Sequence, residues 1–181
     1  MHALRTHVWA TVGTATLLAT LTGCSSDEIK AVPEVPERIC WDVFTRKDVV
    51  PFLPTGDKAD VYSDTFVLLE ELDGATCSLD IDGRTRFQAA ATRRDREDQI
   101  EWSSYEKGKT APIPVGKKGI VWPGGVLTYI VCEPPEPPSA HGNYVELRIS
   151  TFSAADDKLP RNLTPLLKQF VAFAEQELNC V

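Results

Sequence analysis

The side chains of this chain that can act as nucleophiles or metal ligands are few: five cysteines and three histidines among 181 residues. Cys24 stands apart from the rest. It follows Leu21-Thr22-Gly23, a large aliphatic and two small residues, which let an extended strand pass into a peptidase site and leave a thiol ready to form a thioether. Cys40, Cys77, Cys132 and Cys180 are even in number and widely spaced. That is the arrangement of disulfides rather than of a C-x-x-C metal or redox pair. His2 and His7 precede the thiol, and His141 sits in a proline-rich stretch. One histidine beyond the N-terminal segment leaves a Ser-His-Asp triad a single candidate base, with no G-x-S-x-G elbow to serve it. Multi-histidine metal sites fail on count.

The segment before Cys24 sets the expected address. Met1–His7 carries one permanent charge, Arg5, and Val8–Leu21 carries none. At about 14 residues the apolar run suits a signal-peptide core and falls short of the roughly 20 that span a bilayer. Leu-Thr-Gly-Cys resembles the lipobox of bacterial lipoproteins, in which cleavage precedes the cysteine and its thiol receives a diacylglyceryl group. Residues 1–23 are therefore read as a lipoprotein signal peptide and Cys24 as the lipidated first residue. Two or three acyl chains hold a protein on a membrane stably, at about 0.8 kcal/mol per buried CH₂. Removing residues 1–23 takes one of 19 basic and none of 26 acidic residues, leaving 18 − 26 = −8. Such a charge disfavours nucleic acid and anionic headgroups, so the expected membrane contact is the lipid alone.

Other short patterns carry less chemistry. Asp80-Ile81-Asp82-Gly83 has the middle of a calcium loop, but the position for the bidentate glutamate is Ala89. Gly108-Lys109-Thr110 mimics the end of a phosphate loop, yet Ser103 stands where the earlier glycine belongs and Pro112 follows closely. Adjacent Glu70 and Glu71 on a strand would face opposite ways. No catalytic constellation, cofactor site or metal site is expected. Trp102, Tyr105 and Trp122 are the candidate lining of a ligand or sugar groove.

The expected elements follow from periodicity. Residues 24–37, acidic and proline-containing, read as a tether of up to about 45 Å, and 38–181 as one extracytoplasmic domain. Arg38–Pro54 reads as a strand or turn and a short helix capped by Thr45, with Asp48 three residues on and Pro51 limiting its length. Thr55–Ser63 reads as a loop and Thr65–Leu72 as a strand. Ala75–Thr92 is an expected hairpin about Asp82-Gly83. A two-residue turn would set Leu79 against Arg86 with the apolar sets on opposite faces; the favoured three-residue loop pairs Leu79 with Thr85 and Cys77 with Phe87. Ile120–Cys132 reads as two strands around Pro123-Gly124-Gly125, the second apolar on both faces and so covered twice. Tyr144–Phe152 is a further strand. Asn162–Cys180 is the strongest helix, with Thr164 as cap and Pro165 at the first helical position. The fold class is α+β: a mainly antiparallel sheet, a C-terminal helix on one face and a short N-terminal helix. Four cysteines permit three pairings. Cys40–Cys77 with Cys132–Cys180 is favoured because each would tie a terminal element to the sheet.

The lipobox, the four later cysteines and Cys40-Trp41-x-x-Phe44-Thr45-x-x-Asp48-Val49 together resemble small actinobacterial extracytoplasmic lipoproteins. The resemblance supports the address and the fold and brings no established activity. The functional expectation is a non-catalytic interaction module on the outer face of the cell membrane, meeting an envelope protein through Arg93–Asp98 or the loop Glu133–Asn143. The alternative is an extracytoplasmic binding protein for a small molecule or glycan, near Trp102 and Trp122.

Overall fold

Period-two alternation builds the centre of the molecule. A computed structural model describes residues 31–68, 73–100, 102, 110–132, 143–152 and 162–180. Nine strands are present among them: β1 (Arg38–Ile39), β2 (Phe44–Thr45), β3 (Ala59–Ser63), β4 (Gly74–Ile81), β5 (Arg84–Arg94), β6 (Ala111–Ile113), β7 (Lys118–Trp122), β8 (Gly125–Val131) and β9 (Tyr144–Thr151). β1 and β2 form a small hairpin; the rest form one seven-stranded sheet in the order β3-β4-β5-β9-β8-β7-β6. Every pairing is antiparallel. Helix α1 (Arg46–Val49) runs into a 3-10 turn at Val50–Phe52, and α2 (Thr164–Glu177) lies on β8 and β9. The protein is an α+β domain.

One face of the sheet carries the main core. Cys77, Leu79, Phe87, Ala89, Val126, Val145, Leu147 and Ile149 are fully buried there. They meet Leu163, Leu166, Leu167, Phe170 and Ala174, which recur at helical spacing on α2. Asn162 Oδ1 accepts the Thr164 backbone N–H at 3.2 Å, so the asparagine side chain serves the helix start in place of the expected threonine cap. At the other end Asn179 takes φ 51°, and Cys180 N–H reaches the Glu175 carbonyl at 2.8 Å. This left-handed C-cap delivers Cys180 to Cys132. Both favoured disulfides are present, Cys40–Cys77 and Cys132–Cys180. They suit an oxidising, extracytoplasmic compartment. No helix among the described residues is long and apolar enough to cross a membrane.

The short helix follows its sequence pattern: the Asp48 carboxylate accepts from both the backbone N–H and the hydroxyl of Thr45. Three other expectations are corrected. The packed region begins before Arg38, because Val35 is buried, Val32 packs on the core and the Ala31 carbonyl accepts Gly56 N–H. The first strand of the sheet is Ala59–Ser63, inside the expected loop, whereas Thr65–Leu68 is not a strand. The Asp82 carboxylate anchors β3 by accepting the N–H groups of Asp57 and Lys58, both at 3.0 Å. The third correction is register. Asp82 and Gly83 form a two-residue turn with φ 52° and 71°, and Ile81 pairs with Arg84. A bulge then inserts Arg86, so Leu79 faces Phe87 and Cys77 faces Ala89. The extra residue returns both apolar sets to one face.

Candidate functional site

The second face of the sheet is where the chemistry-bearing side chains gather. Alternation on β8 sends Val126 and Ile130 to the main core and Leu127, Tyr129 and Val131 to the opposite face, as a strand covered twice requires. Ile100, Ile120, Leu127 and Tyr129 form a second buried cluster, with Trp102, Trp122, Val131 and Tyr144 packed around it. The segment after β5 covers this cluster. It is shaped by a 3-10 turn at Glu97–Gln99, by Gln99 Oε1 accepting the N–H groups of Asp95 and Arg96, and by Ile100 N–H bonding to the Glu97 carbonyl.

Register fixes what lies beside what. One row crosses the sheet as Thr92–Glu146–Tyr129–Lys118, the next as Arg94–Tyr144–Val131. Arg94 Nε and Nη2 approach Glu146 Oε2 at 3.1 and 3.0 Å, and the Glu146 side chain is only 6% exposed. A carboxylate so enclosed needs that cation. Tyr129 and Tyr144 lie 5.8 Å apart at a 48° tilt, and Trp102 meets Tyr129 nearly edge-on at 6.2 Å. Burial pushes the Tyr129 hydroxyl above the usual phenol range, and its hydrogen bond and proximity to the Glu97 carboxylate push the same way. The Lys118 ammonium sits 4.2 Å over the Trp102 ring.

Trp102 and Trp122 thus share one cluster and pack at different rows of the sheet. The Ile120–Leu127 row separates the Lys118–Tyr129 row under Trp102 from the Gly125–Trp122 row. Trp122 lies against glycine backbone: a Cβ on Gly125 would fall 2.5 Å from its Cζ2 and 2.4 Å from the Ile149 carbonyl. That indole packs the sheet. Arg94, Glu97, Lys118, Tyr129 and Glu146 escaped the sequence reading. The alternation of Glu146 and Arg148 marks a polar face, but Arg94, the cation that pairs with Glu146, stands 52 residues earlier in the chain. Cys24, Tyr105, His141 and loop 133–142 lie outside the described residues. Among the described residues no group of three or more His, Cys, Asp or Glu could hold a metal ion.

Fold and site define the class of this protein as a disulfide-braced α+β domain whose one sheet packs a helix on one face and an aromatic, ion-paired cluster on the other. Comparison with protein-family models, curated proteins and solved structures finds no match for the chain.

The ion pair carries a prediction. Glu146→Gln leaves Arg94 without its counter-charge and should cost about 2 kcal/mol, less than the 3–5 of a fully enclosed pair because Arg94 is 29% exposed. Urea midpoints of Glu146→Gln, Arg94→Gln and the double variant give the coupling; additive costs would remove the pair from the account.

Proposed function

We propose that this chain is a lipid-anchored, extracytoplasmic, non-catalytic interaction module. The observation that carries the reading is the pair of disulfides in a chain that also carries Leu21-Thr22-Gly23-Cys24. Oxidised cysteines and a lipobox-like sequence ask for the same compartment. Because Ala31 is already hydrogen-bonded to Gly56, the chain from Cys24 to the domain has a contour of at most about 25 Å. A lipid on Cys24 would hold the domain close to the headgroups, with Arg93–Asp98 as one surface for an envelope partner.

The test is the intact mass of the native protein extracted from membranes. The expected mass is residues 24–181 plus diacylglycerol and acyl chains, rising by four hydrogens when both disulfides are reduced. Cys24→Ser should abolish the lipid mass and move the protein out of the membrane fraction. A lipid-free chain starting elsewhere would end the anchored reading. A crosslink from Arg93–Asp98 to one reproducible protein would support the partner, and none would count against it. A second reading, small-ligand binding, is favoured by Trp102, whose ring face holds a cation in this structure.

A further inference from the structure

From the cation already resting on Trp102 we infer that its face is a binding seat for a quaternary ammonium group, with Lys118 as the resident competitor. This deepens the small-ligand reading and is independent of the lipid anchor. The Lys118 ammonium is 4.2 Å from the ring centroid; Lys118 is an exposed residue and Trp102 is half-buried. The residue is positioned by its neighbours: Ile100 is 3% exposed, the backbone N–H of Trp102 bonds to the Ile100 carbonyl at 2.9 Å, and the indole meets the Tyr129 ring nearly edge-on. The Glu97 carboxylate lies near enough to Tyr129 to help raise its hydroxyl above the usual phenol range, and so places negative charge beside the aromatic surface.

The chemistry selects the ligand. Tryptophan presents the strongest π face for a cation, and quaternary ammonium groups are what such faces recognise. A primary ammonium is strongly hydrated and gives up water to sit on a ring. A tetramethylated nitrogen has no N–H to desolvate and spreads its charge over methyl groups that fit the ring. The formal charge of the chain, −7, raises cation concentration at its surface.

The experiment uses the full chain in detergent micelles of uncharged headgroup and follows the Trp102 indole N–H resonance, assigned by its loss in Trp102→Phe. Tetramethylammonium chloride should shift it saturably, where sodium chloride at equal ionic strength does not. Lys118→Ala should tighten binding about five-fold, equivalent to about 1 kcal/mol at 1.4 kcal/mol per tenfold. Trp102→Phe should weaken the tetramethylammonium response of the Tyr129 ring resonances while keeping the packing. No saturable shift in Lys118→Ala, or one matched by sodium, overturns the seat. Free choline and phosphatidylcholine vesicles as separate arms tell a soluble ligand from a lipid headgroup. Micelle-bound and lipid-free protein serve equally in the first arm, so its failure leaves the anchor reading standing, and loss of the anchor leaves the seat standing.

Discussion

Phe170→Ala is expected to remove about 3–5 kcal/mol of stability, the cost of emptying a fully buried aromatic site that cannot collapse. Phe170 is completely buried on the face of α2 that meets the sheet. Its ring stacks on Trp41 at 5.7 Å and meets Phe44 and Phe66 edge-on at 6.1 and 6.2 Å. Three segments distant in sequence therefore share one contact: the β1–β2 hairpin, the 64–68 stretch and α2. A domain of this size holds roughly 5–15 kcal/mol in all. The variant should lose about 10 °C in Tm at 2–4 °C per kcal/mol. Phe173, half-buried on the same helix and stacked on Trp41 at 6.2 Å, is the control and should cost less when cut to alanine. Equal losses at the two positions would mean that α2 does not dock through Phe170.

Replacing Cys40 and Cys77 by serine together is the second large effect, about 4 kcal/mol in the chain-entropy account for a separation of 37 residues. Local structure adds to it. Cys40, Trp41 and Asp42 take φ of 51°, 58° and 61°, three consecutive non-glycine residues in the left-handed region. The turn persists because it is held at several points. The disulfide fixes its first residue to β4, Val43 N–H closes on the Cys40 carbonyl at 3.0 Å, and Trp41 Nε1 donates to the Asp64 carbonyl at 2.7 Å. Without the disulfide the turn is free to relax, and Trp41 should leave its stack with Phe170 and Phe173.

Cys132–Cys180 closes a longer loop, 48 residues, so entropy alone would rank it slightly higher. Its location argues the reverse. Cys180 follows the last turn of α2, and helix ends fray at little cost in free energy. Urea titrations of the two double-serine variants, read by tryptophan emission, give the order directly. A larger loss from the Cys132/Cys180 pair would show that the helix end, and not the N-terminal hairpin, limits unfolding.

Legibility in the sequence followed range. The C-terminal helix was readable because Leu163, Leu166, Leu167, Phe170 and Ala174 report their own burial through a 3.6-residue period. The Thr45–Asp48 cap is a contact within one turn. The two faces of β8 showed in its unbroken apolar run from Val126 to Val131. The cysteine pairing followed from each cysteine's place beside a terminal element.

What tertiary structure decided was pairing between segments far apart. The sequence of β3 reads as loop because an edge strand turns only Ala59 and Val61 toward the core, too short a pattern to register. The β4–β5 hairpin offered two registers, which at Leu79 miss the observed partner by one residue and by two, and the structure resolves them with a bulge at Arg86. Only the demand that Leu79 and Phe87 bury the same face selects it. The second-face site is the clearest case. Glu146 and Arg94 are unremarkable polar residues on their own strands. They become an ion pair, with the carboxylate enclosed, because β5 and β9 are neighbours in the sheet and their register sets Arg94 diagonally across from Glu146; no local pattern in either strand carries that information.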